Sequence, residues 1–166
     1  MKPRESFIAA LERQAPTGRV PHFELQFFLT MEAFGRIHPS QRVYKKWDQM
    51  TEKERTLHRD DVADLYVQTA RHFEHAGFHY NSPTGWKEED TRLSIDQARE
   101  LSGMDHMIML SGDATYKIPN GDQMMDFSIK LAEQPENMKS EAQRRVDEKL
   151  EWAARVKNRG LLMASA

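Results

Sequence analysis

Between Gly103 and the turn-forming stretch Ser111-Gly112-Asp113 lies an unbroken apolar run, Met107-Ile108-Met109-Leu110. A strand with no polar alternation has both faces covered, the pattern of a parallel sheet packed against helices rather than of a half-wet hairpin. Parallel neighbours need long crossovers, so this run fixes what the rest of the chain must supply.

The remaining sequence offers those crossovers. Proline at the first position and Phe7, Ile8 and Leu11 on one face predict a helix over 3–14. Residues 19–25, with Pro21 near the start, predict a short first strand, and 27–34 a helix closed by Gly35. Residues 36–50 carry no periodicity and read as loop. Thr51 and Glu54 have capping-box spacing, and Val62, Leu65, Tyr66, Thr69, Phe73 and Ala76 form the stripe of a helix ending at Gly77. A strand over 78–81 follows. Ser94 and Gln97 suggest a second capping box, opening a helix that Gly103 closes. Asp122 caps a helix through Leu131, and Pro135 opens a last one with Met138, Ala142, Val146, Leu150 and Ala153 on one face. Glu141 with Arg145 and Glu151 with Arg155 are i,i+4 pairs on its wet side. Gly160 ends it, and 161–164 predicts a further buried strand.

The alternation predicts an α/β fold of about four parallel strands with right-handed crossovers, roughly the N-terminal half of a (β/α)₈ TIM-type barrel, whose full form takes ~250 residues. All 166 residues then make a single partial domain. Its open edges and the uncovered last strand call for self-association or a complementary half-barrel chain.

Charge and composition narrow the function classes. Twenty-four basic against 26 acidic side chains leave a formal charge of −2. That near-balance argues against a nucleic-acid surface. No apolar run approaches the ~20 residues of a membrane span, and the opening Met1-Lys2-Pro3-Arg4 is not followed by a signal-peptide core. The absence of cysteine excludes thiol catalysis and thiolate metal sites within these residues, and a cytoplasmic protein is the expectation.

The segments Arg4…Ala10-Leu11…Pro16…Arg19-Val20-Pro21…Glu24, Met109-Leu110-Ser111-Gly112-Asp113-Ala114-Thr115 and Ile118-Pro119-Asn120-Gly121 stand in an order that resembles the N-terminal half of the uroporphyrinogen decarboxylase-like superfamily. Met124-Met125-Asp126-Phe127, Pro135-Glu136 and Gly160-Leu161-Leu162 extend the likeness. The resemblance implies a barrel and one of two chemistries. The first is methyl transfer between a small methylated donor, a corrinoid carrier protein and an acceptor, with zinc ligands in the second half. The alternative is a porphyrinogen carboxy-lyase of tetrapyrrole biosynthesis. Residues 25–36 lack the decarboxylase's arginine-rich stretch, and Tyr80-Asn81-Ser82-Pro83 lacks its carboxylate, so the methyl-transfer branch is the closer likeness. A third possibility is a non-catalytic half-barrel subunit completed by a partner chain.

Site candidates follow from the barrel. His22 and Glu24, at i and i+2, share one face of the first strand, and Asp113 follows the third. Glu24 and Asp113 are the candidate catalytic carboxylates; His22, Asn81, Thr115 and Tyr116 are candidate substrate contacts at the strands' C-terminal ends. The plainer alternatives are a satisfied polar pair for His22 and Glu24, and for Asp113 a side-chain turn capping the following amides. His72, His75 and His79 have spacings compatible with metal, but a helix C-terminus favours histidine anyway, so no metal ligand is assigned.

Overall fold

The computed structural model describes the chain except residues 16, 26, 117–118, 157–160 and 164–166. It divides into two compact units, the first formed by Met1–Ser111 and the second beginning at Gly112.

In the first unit the long helix α3 (Glu52–His72) starts where local chemistry requires. Thr51 Oγ1 accepts the Glu54 amide at 3.3 Å, and the Glu54 carboxylate accepts the Thr51 amide at 2.7 Å. Two orphan donors of the first turn are thus satisfied reciprocally. Val62, Leu65, Tyr66 and Thr69 are buried as their spacing predicts. The helix ends at His72 rather than Gly77.

Strands β1 (Gly77–Tyr80) and β2 (Met107–Ser111) form a parallel ladder with Gly77 opposite Met107 and Tyr80 opposite Leu110. Gly77 is needed for this approach, because a Cβ there would overlap the Met107 carbonyl. Tyr66 of α3 lies over β1, its ring stacked on Phe78 at 5.4 Å and tilted on Tyr80 at 4.8 Å. The crossover helix α4 (Glu88–Ser102) packs on α3 and buries Ile95 and Ala98, and Gly103 closes it in the left-handed conformation, φ 61°. A buried network ties these parts together. Asp90 of α4 accepts from Arg59 of α3 at 2.8 Å and from the Trp47 indole at 2.7 Å.

Two predicted helices are shorter than their sequence suggests. The helix over 3–14 is α1 (Pro3–Leu11), and that over 27–34 shrinks to α2 (Thr30–Phe34) before Gly35. The segment 36–50 contains short 3₁₀ turns at Pro39–Gln41 and Trp47–Gln49. Ser94 caps nothing: it sits inside α4, fully buried, donating its hydroxyl to the Arg59 carbonyl at 2.9 Å.

The predicted strand over 19–25 is not a strand. It is irregular backbone that accepts one bond from the sheet region, from the Ala76 amide to the His22 carbonyl at 2.7 Å. Pro21 has no N–H to give, which removes a ladder rung. In place of four parallel strands there is one parallel ladder of two, with the three-residue β3 (Leu161–Met163) next to β2 in order. The sheet is small and open and helices dominate, so the half of a TIM-type barrel predicted from the alternation is not the fold. Short apolar runs between helices fit any parallel α/β arrangement, and barrel curvature needs more strands than these. The predicted Gly160 terminus and Ala164 lie outside the described residues.

The second unit holds α5 (Asp122–Glu133) and α6 (Pro135–Val156); α6 starts at Pro135 as predicted, whereas Asp122 is the first residue of α5 rather than its cap, which is Gly121. No residue of α5 is buried.

Candidate functional site

The loop after β2 is held on α6 by Tyr116. Its hydroxyl donates to the Met138 carbonyl at 2.7 Å, and its ring lies between Phe127, at 5.9 Å edge to face, and the Arg145 guanidinium, 4.4 Å from its centroid. Upstream, Asp113 Oδ1 accepts both the amide and the hydroxyl of Thr115, at 2.8 and 2.7 Å. This is the side-chain turn expected of an aspartate in that position. The turn and the helix enclose a cleft of about 270 Å³ lined by Asp113, Ala114, Thr115, Arg145, Glu148, Lys149 and Trp152.

The α6 residues of this lining fall at i, i+3, i+4 and i+7, one face of the helix. Their charges are set by neighbours. Arg145 uses Nε for Glu141 at 2.9 Å, which leaves both terminal nitrogens out of that pair. Hydrogen bonds from Arg144 and Arg145 hold the Glu141 carboxyl down to about 2, so the brace stays charged at any ordinary pH. Glu148 pairs with Arg144. Lys149 makes no ion pair among the described residues; its ammonium lies 4.8 Å from the Trp152 ring centroid. The cleft therefore presents an ammonium and a guanidinium fork beside an indole. Such a set can bind an anion attached to a flat apolar body.

The first unit holds two other cavities. Glu24, Thr30, His38, Tyr66, His75 and His79 are among the residues around an interior space of about 10 Å³. That is room for one water, not for a substrate. Burial, with Arg42 the next cause, lowers His38 to about 4, and burial also lowers His75 and His79. The Ser40 amide donates to His38 Nδ1 at 3.3 Å, consistent with an unprotonated nitrogen there. A second space, about 220 Å³, is lined by Pro3, Arg19, His22, Glu74 and Ala76 among others. Its charged members, Arg19 and Glu74, neutralise each other at 2.7 Å.

The predicted site residues are thus distributed. His22 and Glu24 border different cavities, and Asp113 borders a third. Asp113 and Thr115 share the α6 cleft, with Tyr116 bracing its wall. Asn81 has its backbone clasped by the Tyr66 hydroxyl, and its amide lies 3.1 Å from His79 Nδ1. His72 packs against Phe34 and Phe73, and no group of three or more metal-ligating side chains occurs among the described residues. Arg145, Lys149 and Trp152 are the residues that sequence reasoning missed. Their i, i+4, i+7 spacing was visible, but the apolar stripe Val146 and Leu150 on the same helix drew the reading instead.

No protein-family model, curated protein or solved structure matches the chain. With a helix-rich fold and a short open sheet, this overturns the resemblance to the uroporphyrinogen decarboxylase-like superfamily. The methyl-transfer, carboxy-lyase and half-barrel readings fall with it. Their motifs were short turn-forming pieces, which any loop after a buried strand can carry. No described helix is long and apolar enough to cross a membrane.

Proposed function

We propose that the second unit is a small-molecule-binding module, with the α6 cleft as its site and a carboxylate-bearing ligand as its occupant. The observation that carries this is Lys149 on the cleft wall, which makes no ion pair among the described residues, with the Arg145 guanidinium one turn away, paired with Glu141 through Nε only. The volume, about 270 Å³, lies just under the ~300–1,000 Å³ of drug-sized sites, which favours a small ligand. Asp113 and Thr115 form the opposite rim. Calorimetric titration of the full chain with benzoate tests the reading. Saturable heat that the Lys149→Gln variant loses supports it, and no saturable heat at millimolar benzoate refutes it. The lack of cysteine and the near-neutral charge fit a cytoplasmic setting.

A specific observation favours a second role, self-association through α5. Met124, Met125, Ile129 and Leu131 are all 44% exposed or more, a continuous apolar stripe on a helix that buries nothing. A second copy covering this stripe would remove it from water. Sedimentation of the wild type against Met125→Glu decides it: a concentration-dependent dimer that the variant abolishes is expected, and a monomer at all concentrations overturns the role.

A further inference from the structure

We infer that the interior space in the first unit, lined by Phe78 and His79 of β1 among others, is the binding site of one ordered water molecule, held by Thr30 together with His38 and His75. Its volume of about 10 Å³ is that of one water-sized sphere and excludes a larger guest. These three lining residues are deeply buried, with 1, 5 and 5% of their surfaces exposed. Each also has hydrogen-bonding capacity that no protein group answers. Thr30 Oγ1 is enclosed and has no partner. The Ser40 amide donates to His38 Nδ1 at 3.3 Å, so the ring proton sits on Nε2, which is left to donate. The His75 ring meets Phe27, Phe73 and His22 through ring contacts and makes no hydrogen bond among the described residues.

The other polar groups of the lining are already engaged. The Tyr66 hydroxyl donates to the Asn81 carbonyl and accepts the Asn81 amide, both at 2.9 Å. His79 has the Asn81 side-chain amide 3.1 Å from Nδ1 and the Leu25 carbonyl as a second partner. Thr69 donates to the Leu65 carbonyl at 2.8 Å. Glu24 is exposed and has bulk solvent. What remains is a hydroxyl, an imidazole N–H and a second imidazole. Burial disfavours the charged form of both rings, and an uncharged imidazole keeps one accepting nitrogen. A guest that answers this set must donate and accept, carry no charge and fit a space of one heavy atom. Water does all three, and buried waters make about three hydrogen bonds. It accepts from His38 Nε2, donates to a His75 nitrogen and shares a bond with the Thr30 hydroxyl. It thereby ties α2, the turn at Pro39–Gln41 and the link from α3 to β1 at one point.

Two variants of the full chain separate the hydroxyl from the shape of the side chain: Thr30→Val keeps the shape and removes the hydroxyl, and Thr30→Ser keeps the hydroxyl. Magnetic relaxation dispersion of the water nuclei counts long-lived waters, and cross-relaxation from water to the Thr30 amide and to the ring protons of His38 and His75 locates this one. The wild type and Thr30→Ser should show those cross-peaks. Thr30→Val should lose them together with one long-lived water, and its urea midpoint should fall by about 0.5 M or more, because the histidine partners are then left unanswered. Long-range ¹⁵N correlations should place the His38 proton on Nε2. A Thr30→Val midpoint at or above that of the wild type, with the water count unchanged, overturns the inference. So does a wild type without water cross-peaks at these three residues, a result that decides the matter even where Thr30→Val does not fold.

Discussion

Replacing Asp90 by alanine should unlock the first unit. Its carboxylate is buried and joins three parts of the chain: Arg59 on α3 at 2.8 Å, the Trp47 indole at 2.7 Å and the Lys87 amide at the start of α4 at 3.3 Å. Removing it strands a guanidinium that is only 5% exposed. Breaking such a pair from one side costs ~3–5 kcal/mol, and an orphaned buried indole N–H adds ~1–3 kcal/mol. Arg59 keeps Glu52 and Thr56 as partners. That residual support brings the expected loss to about 4 kcal/mol, a large share of the ~5–15 kcal/mol a domain possesses. With a urea m-value of about 2 kcal/mol/M, the midpoint falls by about 2 M. Urea titration followed by Trp47 emission reads it, because the same substitution frees that indole. Asp90→Asn keeps an acceptor for the indole and should lose roughly half as much. A fall below about 1 kcal/mol for Asp90→Ala would show that the network is ornamental and that packing alone holds α3, α4 and the 42–50 segment together.

Other expectations follow from the same geometry. His38 is buried and held neutral down to about 4, against an ordinary 6.5, so between those values the unfolded chain binds a proton that the native one does not. Stability is therefore full above pH 6.5 and declines as pH falls toward 4, by up to ~3 kcal/mol from this residue. Urea midpoints at pH 7 and 5 should show the decline in the wild type and a shallower one in His38→Gln; equal slopes would remove His38 from the cause. Tyr116→Phe deletes the bond to Met138 and should cost ~0.5–1.5 kcal/mol in the second unit while weakening benzoate binding. Unchanged affinity in that variant would mean that the loop holds its place without the hydroxyl. Gly77→Ala should destabilise the β1–β2 ladder, since its Cβ meets the Met107 carbonyl, and a wild-type melting temperature would contradict that register.

What the sequence disclosed was local chemistry. The Thr51–Glu54 box, the left-handed Gly35 and Gly103 caps, and the apolar runs of β1 and β2 each depend on neighbours a few residues away. Ser94 shows the limit of that reasoning. A serine followed three residues on by glutamine looks like a cap, but its hydroxyl bonds the Arg59 carbonyl, 35 positions upstream. Residues 19–25 failed for a similar reason: β propensity was present, but Pro21 and irregular pairing with β1 leave a single rung. The site divided along the same line. Asp113, Thr115 and Tyr116 follow a recognisable buried strand, so their place in a loop was legible. Which helix face meets them depends on how 112–116 docks on α6, through a tyrosine hydroxyl and a guanidinium that no periodicity announces.

The binding account stands or falls on where a ligand lands. Backbone amide shifts of isotopically labelled full chain, recorded during titration with benzoate, test this most directly. The account predicts saturable shifts concentrated at Asp113–Thr115 and at Arg145, Glu148, Lys149 and Trp152, abolished by Lys149→Gln. Shifts centred instead on His22, Glu24, His75 and His79, with the α6 cleft silent, would contradict it.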